Sequence, residues 1–338
     1  MKRNLSDIPV SVLDLATIID GDTPADSFRK SLQVARLTEK LGFNRYWFAE
    51  HHNMPNIASS ATSVLIGYIA GNTTTIRVGS GGVMLPNHAP LIIAEQFGTL
   101  ESLYPGRIDL GLGRAPGTDQ ITSHALRRNL NGTVDDFPRD VIELKNYLAP
   151  HNGKPTVRAI PGEGTQVPLW LLGSSTYSAQ LAAALGLPFA FASHFAPTYL
   201  HDALQLYRQR FTPSDQLQQP YSMACINVIA ADTDEEANYL ASSFYQLASG
   251  IVTNQRKPLQ KPVKNFLHDW DEYEKAPVLQ MMKYTFIGSA ATVKKGLQSF
   301  LDDTQVDEIM VASYIYDNAA RMHSYELIGE FFSKERNG

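Results

Sequence analysis

Apolar and polar positions alternate on two scales along this chain. Short apolar runs, each of strand length, are separated by longer stretches in which apolar residues recur at helical spacing. In the first long stretch these residues are Phe28, Leu32, Ala35 and Leu41, and Gly42 follows them as a helix-ending residue. The pattern therefore predicts strands and helices in regular alternation.

The apolar runs predict eight strands, at residues 10–13, 44–48, 76–80, 107–112, 168–172, 188–192, 222–230 and 308–312. The amphipathic stretches predict helices at 26–41, 59–70, 90–103, 136–148, 175–185, 197–211, 233–247, 289–301 and 319–332, with Ser59 or Ser60 as the N-cap of the second. Strands separated by helices pair in parallel, because a parallel pair needs a crossover connection. Eight such units predict an α/β fold, the (β/α)8 barrel. An open doubly wound sheet is the alternative, but its G-x-G-x-x-G motif does not follow the first strand.

Two segments are longer than ordinary connections. Residues 114–135 form a polar loop, and residues 250–284 are rich in Lys, Pro and Gln and look irregular. We expect the second segment to be an insertion between strand seven and the last strand, within a single domain that spans residues 1–338. Long loops in compact domains are often binding loops or lids.

Composition narrows the possible partners. Of the 338 residues 43% are hydrophobic and 19% are charged, and the net charge of −5 disfavours nucleic acid. Cys225 is the single cysteine, which excludes a disulfide framework and a Cys-based metal site. The N-terminus lacks the apolar core of a signal peptide, and no run approaches the ~18 apolar residues of a membrane span. We expect a soluble cytoplasmic protein without a nucleic-acid or membrane partner.

In a (β/α)8 barrel the chemistry lies at the carboxyl ends of the strands. Polar and glycine-rich residues follow these ends here: Asp14, Glu50-His51-His52-Asn53, Gly79-Ser80-Gly81-Gly82, Gly111-Leu112-Gly113-Arg114, Gly173-Ser174-Ser175, Ser193-His194 and Ser313-Tyr314. No lysine ends a strand, which disfavours a Schiff-base aldolase. No His-x-His ends the first strand, which disfavours the common metal-dependent hydrolase barrels.

The stretch WLLGSSTYSAQ predicts an anion site. The chain turns through Gly173 and Ser174 into a helix near Ser175, and free N–H groups, small hydroxyls (Ser178 included) and the helix dipole all favour an anion there. Serine is also a good N-cap, so simple helix capping is the alternative. Arg114 should face this helix start from the neighbouring strand end, and arginine binds phosphate well.

The residues alone do not decide the role of two other strand ends. The glycines of GSGG at 79–82 allow positive φ and close approach of a flat ligand, or only a tight turn. In YWFAEHHNM, neighbouring residues of a strand point to opposite sides, so His51 and His52 cannot both enter one site. We expect acid–base or hydrogen-bonding work for them rather than metal binding, because no HExxH motif or suitably spaced carboxylate or cysteine pair is present.

Taken in order, GFNRYWFAEHHN, TIRVGSGGVMLPNHAPLIIAEQFGTLESLYPGRIDLGLGRAPG and PLWLLGSSTYSAQLAAALGLPFAFASHF resemble the bacterial-luciferase-like flavin monooxygenases, and most of all their non-luminescent luciferase-like group. The resemblance implies a (β/α)8 barrel that takes reduced FMN from a separate flavin reductase. It implies that oxygen adds at flavin C4a and that the peroxide attacks an aldehyde or another small organic substrate. It also implies a homodimer, which the apolar helices after strands two and three favour.

The resemblance also assigns residues. His51 corresponds to the catalytic histidine, with Glu50 and His52 beside it. Arg114, Ser175 and Ser178 correspond to the phosphate-binding residues, near Gly173 and Ser174, and Gly81-Gly82 to a non-proline cis peptide under the flavin ring. Gly113 stands where the light-emitting subunit has a reactive cysteine. An F420-dependent oxidoreductase and a non-enzymatic flavin-binding protein are the alternatives, and the substrate-binding residues stay unassigned.

Overall fold

Nine parallel strands and eleven α-helices make up the described part of the chain, which in this computed structural model comprises residues 3–126, 134–151, 153, 156–264, 266, 270 and 272–333. The strands are β1 (Val10–Asp14), β2 (Arg45–Phe48), β3 (Arg77–Met84), β4 (Ile108–Gly113), β5 (Leu169–Gly173), β6 (Phe189–Phe191), β7 (Ser222–Ala231), β8 (Thr285–Ser289) and β9 (Glu308–Ala312). The helices are α1 (Pro24–Lys40), α2 (Thr62–Ala70), α3 (Pro90–Leu103), α4 (Gln120–Leu126), α5 (Phe137–Leu148), α6 (Thr176–Leu185), α7 (Leu200–Arg210), α8 (Asp234–Val252), α9 (Glu272–Met281), α10 (Ala290–Thr304) and α11 (Asn318–Phe332).

Eight of the strands close into a ring. Strands β1 to β7 pair in chain order, β7 pairs with β9, and β9 pairs with β1, all in parallel. The eight predicted strands are these eight, so the predicted (β/α)8 barrel is confirmed. Strand β8 lies outside the ring and pairs with the carboxyl half of β7.

Several details of the sequence prediction were wrong. Helix α2 begins at Thr62 after Ala61, and neither Ser59 nor Ser60 caps it. Strand β8 and helix α4 were missed. The insertion predicted at 250–284 is also less irregular than its composition suggests, because α8 runs on to Val252 and α9 follows it. Residues 127–133 of the first long loop lie outside the described residues, as do 265, 267–269 and 271 of the second.

Residues alternate between two sides of each barrel strand, as the strand period of two requires. One set faces the barrel interior and forms a compact cluster of buried side chains, among them Leu13, Trp47, Trp170, Met223 and Met310. The other set packs against the surrounding helices and belongs to the large outer core, with Val12, Tyr46, Phe48, Leu110 and Val311 as examples. This alternation decides which side chains reach the mouth.

The base of the barrel holds a buried network of charges. Asp109 accepts hydrogen bonds from Arg45 Nη1 at 2.7 Å and from Arg77 Nη2 at 2.6 Å. Glu308 accepts from Arg45 Nε at 3.1 Å and from the Tyr221 hydroxyl at 2.8 Å. Both carboxylates are fully buried, so their paired arginines are what make this burial tolerable. This network closes the amino-terminal end of the barrel, so a ligand would enter at the carboxyl ends of the strands.

The insertion packs on the barrel through its own apolar cluster. Its buried members include Phe244, Tyr245, Leu259, Trp270 and Val278. Residues 17–20, which follow β1, also hold the insertion through the backbone, as described below. No helix in the described ranges is long and apolar enough to cross a membrane.

Candidate functional site

The two adjacent histidines after β2 point to different sides. Trp47 and Ala49 belong to the interior cluster, so His51, two residues further on, continues the side that faces the barrel mouth. Glu50 continues the opposite side, which Tyr46 and Phe48 occupy in the outer core. The strand pattern therefore favours His51 as the one histidine that takes the inward direction, as predicted.

His51 is fixed as a neutral base. Its Nδ1 lies 3.2 Å from the carbonyl oxygen of Gly117, which can only accept, so Nδ1–H donates and Nε2 keeps a free lone pair. Burial lowers the pKa of His51, the Gly117 hydrogen bond opposes this, and the positive charge of Arg256 lowers it further. Gly117 has a φ of 65°, a backbone conformation that glycine adopts more easily than other residues. A glycine at this position therefore favours the loop conformation in which its carbonyl contacts His51.

Glu50 binds two other histidines. Its Oε1 accepts hydrogen bonds from His52 Nε2 and from His88 Nε2, both at 2.8 Å, and its Oε2 accepts from the Met84 amide at 3.1 Å. Burial would raise the pKa of Glu50, but these three hydrogen bonds and the nearby His88 outweigh it and lower the pKa to about 2. The carboxylate is therefore ionised at neutral pH, and it ties the end of β2 to the end of β3.

Glu50, His52 and His88 could also be considered as metal ligands. Within the described residues they form the one group of three suitable side chains, with ligand atoms within 4.8 Å of one another. Sequence spacing did not reveal this convergence, because His88 lies far along the chain after β3. Hydrogen bonds to a single carboxylate oxygen account for the geometry, so the absence of a metal stays our prediction.

His194, which follows β6, is a mouth residue that the sequence-based site assignment left out. Its Nδ1 is buried without a hydrogen-bond partner in the structure. Burial, and to a smaller extent His51, lowers the pKa of His194 to about 3. A neutral imidazole with an unpartnered nitrogen near His51 is available to a bound ligand. The unmet hydrogen bond is a signal that appears only in three dimensions.

The glycines at 79–82 serve the barrel wall. The Gly81–Gly82 peptide bond is cis, as the family resemblance implies. None of Gly79, Gly81 and Gly82 has the positive φ that glycine would allow, and all three lie within strand β3. A Cβ on Gly82 would lie 2.7 Å from the Gly111 carbonyl oxygen, and one on Gly81 would lie 2.7 Å from Leu13 Cδ1. Glycine is therefore required by the close neighbouring strands.

The structure brings together the residues of the predicted anion site at the start of α6. The guanidinium carbon of Arg114 lies 4.2 Å from the centre of the Tyr177 ring, and Tyr177 is in the first turn of that helix. The expectation that Arg114 faces this helix start is confirmed. Among the described residues Arg114 has no hydrogen bond or ion pair, so its donors are free for a ligand anion.

The serines around this helix start differ in their surroundings. Ser175 is the N-cap residue, but its side chain makes no capping hydrogen bond, so simple capping does not explain it. Ser174 and Ser175 are partly exposed, whereas Ser178 is buried. A Cβ on Gly173 would lie 2.4 Å from Ser178 Oγ, so Ser178 packs beneath the turn. Ser174 and Ser175 are the hydroxyls best placed for a phosphate.

These features fit FMN. The uncapped N–H groups of α6, two accessible serines and an unpaired arginine suit a phosphate, and the dipole of α6 adds to its attraction. On the inward side, the cis Gly81–Gly82 peptide of β3 and His51 are the predicted neighbours of the flavin ring. Phosphate binding by Arg114, Ser174 and Ser175 and acid–base work by His51 remain predictions.

The comparisons identify the family. The luciferase-like monooxygenase family matches residues 8–308, and the chain belongs to it. A luciferase-like monooxygenase of Escherichia coli K12 is 56% identical over 320 residues, which cover 95% of this chain and 96% of the relative. N-acetyl-S-alkylcysteine monooxygenase of Bacillus subtilis is 38% identical over 242 residues, covering 68% of this chain and 70% of the relative.

Solved structures share the fold. Apo-MsnO8 has a TM-score of 0.86 and 35% identity, and the match covers 96% of this chain and 98% of that one. The oxygenating constituent of 3,6-diketocamphane monooxygenase of Pseudomonas putida, in complex with FMN, has a TM-score of 0.71 and 18% identity over 96% and 97% of the two chains. An F420-dependent secondary alcohol dehydrogenase has a TM-score of 0.67 and 15% identity over 97% and 100%.

Proposed function

We propose that this chain is an FMN-dependent monooxygenase that uses reduced FMN and O2 on a small organic substrate. One observation carries the proposal: the guanidinium of Arg114, which has no partner among the described residues, lies over Tyr177 at the N-terminus of α6, where no side chain caps the helix. Both features favour a phosphate, and FMN carries one at the end of its ribityl chain.

In this proposal, some residues of the mouth bind the cofactor and others transfer protons. Reduced FMN, when bound, supplies the two electrons with which one oxygen atom of O2 enters the substrate and the other leaves as water. Arg114, Ser174 and Ser175 hold the phosphate. His51 Nε2 accepts a proton from the reacting group and returns one, since its neutral form is favoured at neutral pH. Glu50 holds His52 and His88 in place beside it.

The relatives support oxygenation more than deazaflavin chemistry. A monooxygenase is 38% identical to this chain, whereas the F420-dependent neighbour is 15% identical and supports the fold alone. The diketocamphane enzyme in complex with FMN is 18% identical, so it likewise supports the fold alone. An F420-dependent oxidoreductase is the second candidate.

Two partners complete the proposal. The first strand lacks the glycine-rich motif for a nicotinamide dinucleotide, so we propose that a separate flavin reductase delivers reduced FMN. The contacting helices α2 and α3 also expose large apolar side chains: Val64, Tyr68, Ile92 and Leu103. We propose that these side chains form the interface of a homodimer.

Cofactor exchange tests the function. The purified protein is mixed under ¹⁸O2 with reduced FMN or with reduced F420, together with a panel of small aldehydes, ketones and thioethers. We expect product that carries ¹⁸O with reduced FMN alone. Oxidation of reduced F420 by an organic acceptor without O2 would instead support the deazaflavin enzyme. Tight FMN binding with no labelled product from any substrate would support a flavin carrier.

A further inference from the structure

We propose that Arg256, from the insertion, binds an anionic group of the substrate, so that the substrate is an organic carboxylate or sulfonate. This inference rests on the proposed function, because it names the substrate class of the same mouth. It assigns a specificity role to a segment for which sequence reasoning gave no ligand residue.

Backbone hydrogen bonds hold the segment that carries Arg256 at the mouth. The Leu259 amide donates to the Ile18 carbonyl at 2.8 Å, and the Asp20 amide donates to the Leu259 carbonyl at 2.9 Å. Leu259 is itself buried in the apolar cluster of the insertion. The Gln255 amide donates to the Gly250 carbonyl at 2.7 Å, which closes the turn at the end of α8. Arg256 therefore sits on an anchored segment beside the carboxyl end of β1.

The side chain of Arg256 reaches the loop after β2. Its Nη1 lies 2.7 Å from the sulfur of Met54, three residues beyond His51. The positive charge of Arg256 also lowers the pKa of His51, so the guanidinium and the imidazole share one electrostatic environment. A thioether accepts hydrogen bonds weakly and carries no charge, so Met54 positions the guanidinium without neutralising it.

No carboxylate of the described residues pairs with this guanidinium. Over the described ranges Arg256 has no ion pair. Glu50 is turned to the outer side and bonded to two histidines. Asp119 accepts from Asn53 Nδ2 at 3.2 Å and from the Thr122 hydroxyl at 2.8 Å. A ligand anion is the partner that the mouth itself lacks.

The position of Arg256 separates it from the flavin phosphate site. Arg114 follows β4 and lies over α6, which follows β5, whereas Arg256 contacts the loop after β2 and is anchored beside β1. Within the described residues, Arg114 and Arg256 are thus two guanidinium groups without an ion pair, and the second contacts Met54, three residues beyond His51. A flavin phosphate accounts for the first guanidinium, and an anionic substrate whose reacting group meets His51 accounts for the second.

An exposed arginine is more often only hydrated, and the next residue provides the comparison. Lys257 is also exposed, and within the described residues it has no hydrogen bond or ion pair. Replacing Lys257 removes the same charge from the same segment and leaves the contact between Arg256 and Met54 in place. It is the matched control for Arg256.

Paired probes test the proposal by calorimetry on the FMN-loaded protein and again without FMN. The pairs are octanoate and octanamide, 1-octanesulfonate and 1-octanesulfonamide, and N-acetyl-S-methylcysteine and its amide. We expect at least one acid to bind about tenfold or more tightly than its neutral partner. Arg256→Gln should abolish that preference, Arg256→Lys should restore part of it, and Lys257→Gln should keep it.

Two results would overturn the proposal: no acid binds better than its neutral partner, or Arg256→Gln retains the preference. An FMN titration of the same three variants and of the wild type separates this failure from that of the proposed function. If the proteins bind FMN but show no preference for acids, only the proposed substrate class is wrong. If the wild type does not bind FMN at all, the proposed flavin-dependent function is wrong.

Discussion

His51 combines three properties that acid–base work requires. It lies on the inward side of β2, its Nδ1–H is held by the Gly117 carbonyl, and burial lowers its pKa so that Nε2 keeps a lone pair at neutral pH. His52, its neighbour in sequence, does not face the mouth, because its side chain donates a hydrogen bond to Glu50 on the other side of the strand. Adjacent identical residues therefore have different roles.

His51→Ala should slow turnover by about 10² to 10⁴, the usual contribution of a positioned acid–base group. The affinity for FMN should stay within a few-fold, because the phosphate is held elsewhere. Steady-state kinetics with reduced FMN and a flavin titration measure the two effects. His151→Ala is the control, since His151 follows α5 and precedes the amino end of β5. Equal turnover in wild type and His51→Ala would remove His51 from the chemistry.

Glu50 gives the fold a pH dependence. Its pKa is lowered from 4.5 to about 2, so the ionised carboxylate stabilises the folded state above pH 4.5, and this contribution is lost as the pH falls from 4.5 towards 2. Glu50→Gln should lower the free energy of unfolding by about 3 kcal/mol at pH 7. The difference from the wild type should shrink below pH 4.5.

Urea unfolding at pH 7, 5, 4 and 3.5 measures this difference. Glu330→Gln is the control, because Glu330 is an exposed carboxylate of α11 and its removal should leave stability nearly unchanged. A difference between wild type and Glu50→Gln that stays constant from pH 7 to pH 3.5 would show that Glu50 does not titrate as described.

At the scale of single residues, the sequence predicted groups of neighbouring residues well, but it did not predict contacts between residues that are far apart in the chain. The anion site around Ser175 was predictable because a glycine, serines and a helix start are contiguous, and the barrel order placed Arg114 beside them. His88 and Arg256 were not assigned, because each reaches its partner only when distant segments meet.

Helices α2 and α3, which contact each other, both expose large apolar side chains. Val64 is 69% exposed and Leu103 is 63% exposed, although both are large and apolar. Val64→Asp and Ile92→Asp should each convert the proposed dimer into a monomer, because they place a charge within an apolar interface. Light scattering coupled to size exclusion measures the mass. Ile142→Asp, at an exposed position of α5, should remain dimeric. A monomeric wild type at micromolar concentration would contradict the proposal.

The missed strand β8 has a physical reason at the same scale. Strand β7 is ten residues long, and its first half pairs with β9 inside the ring through Met223–Asn227. Its second half extends beyond the ring, and residues 227–231 pair with β8. A short run such as TFIGS carries no periodic signal of its own. Its strand conformation depends on the free edge that a long β7 provides.

Across the whole molecule, the two ends of the barrel have different chemistry. The base is closed by Arg45, Arg77, Asp109 and Glu308, which satisfy one another. The mouth carries Arg114 and Arg256, which have no ion pair in the described residues. Regular strand–helix alternation was enough to predict the barrel, and the strand order then gave the end at which a ligand binds.

The most direct test of the flavin site compares FMN with riboflavin, which differs only by the phosphate. The wild type should bind FMN about tenfold to a hundredfold more tightly than riboflavin, because Arg114 and the start of α6 hold the phosphate. Arg114→Met should abolish this difference and leave riboflavin affinity unchanged, while Arg139→Met, at an exposed position of α5, should keep the difference. Fluorescence titration measures all of these affinities. Equal affinity of the wild type for FMN and riboflavin, or an undiminished preference for FMN in Arg114→Met, would contradict the account.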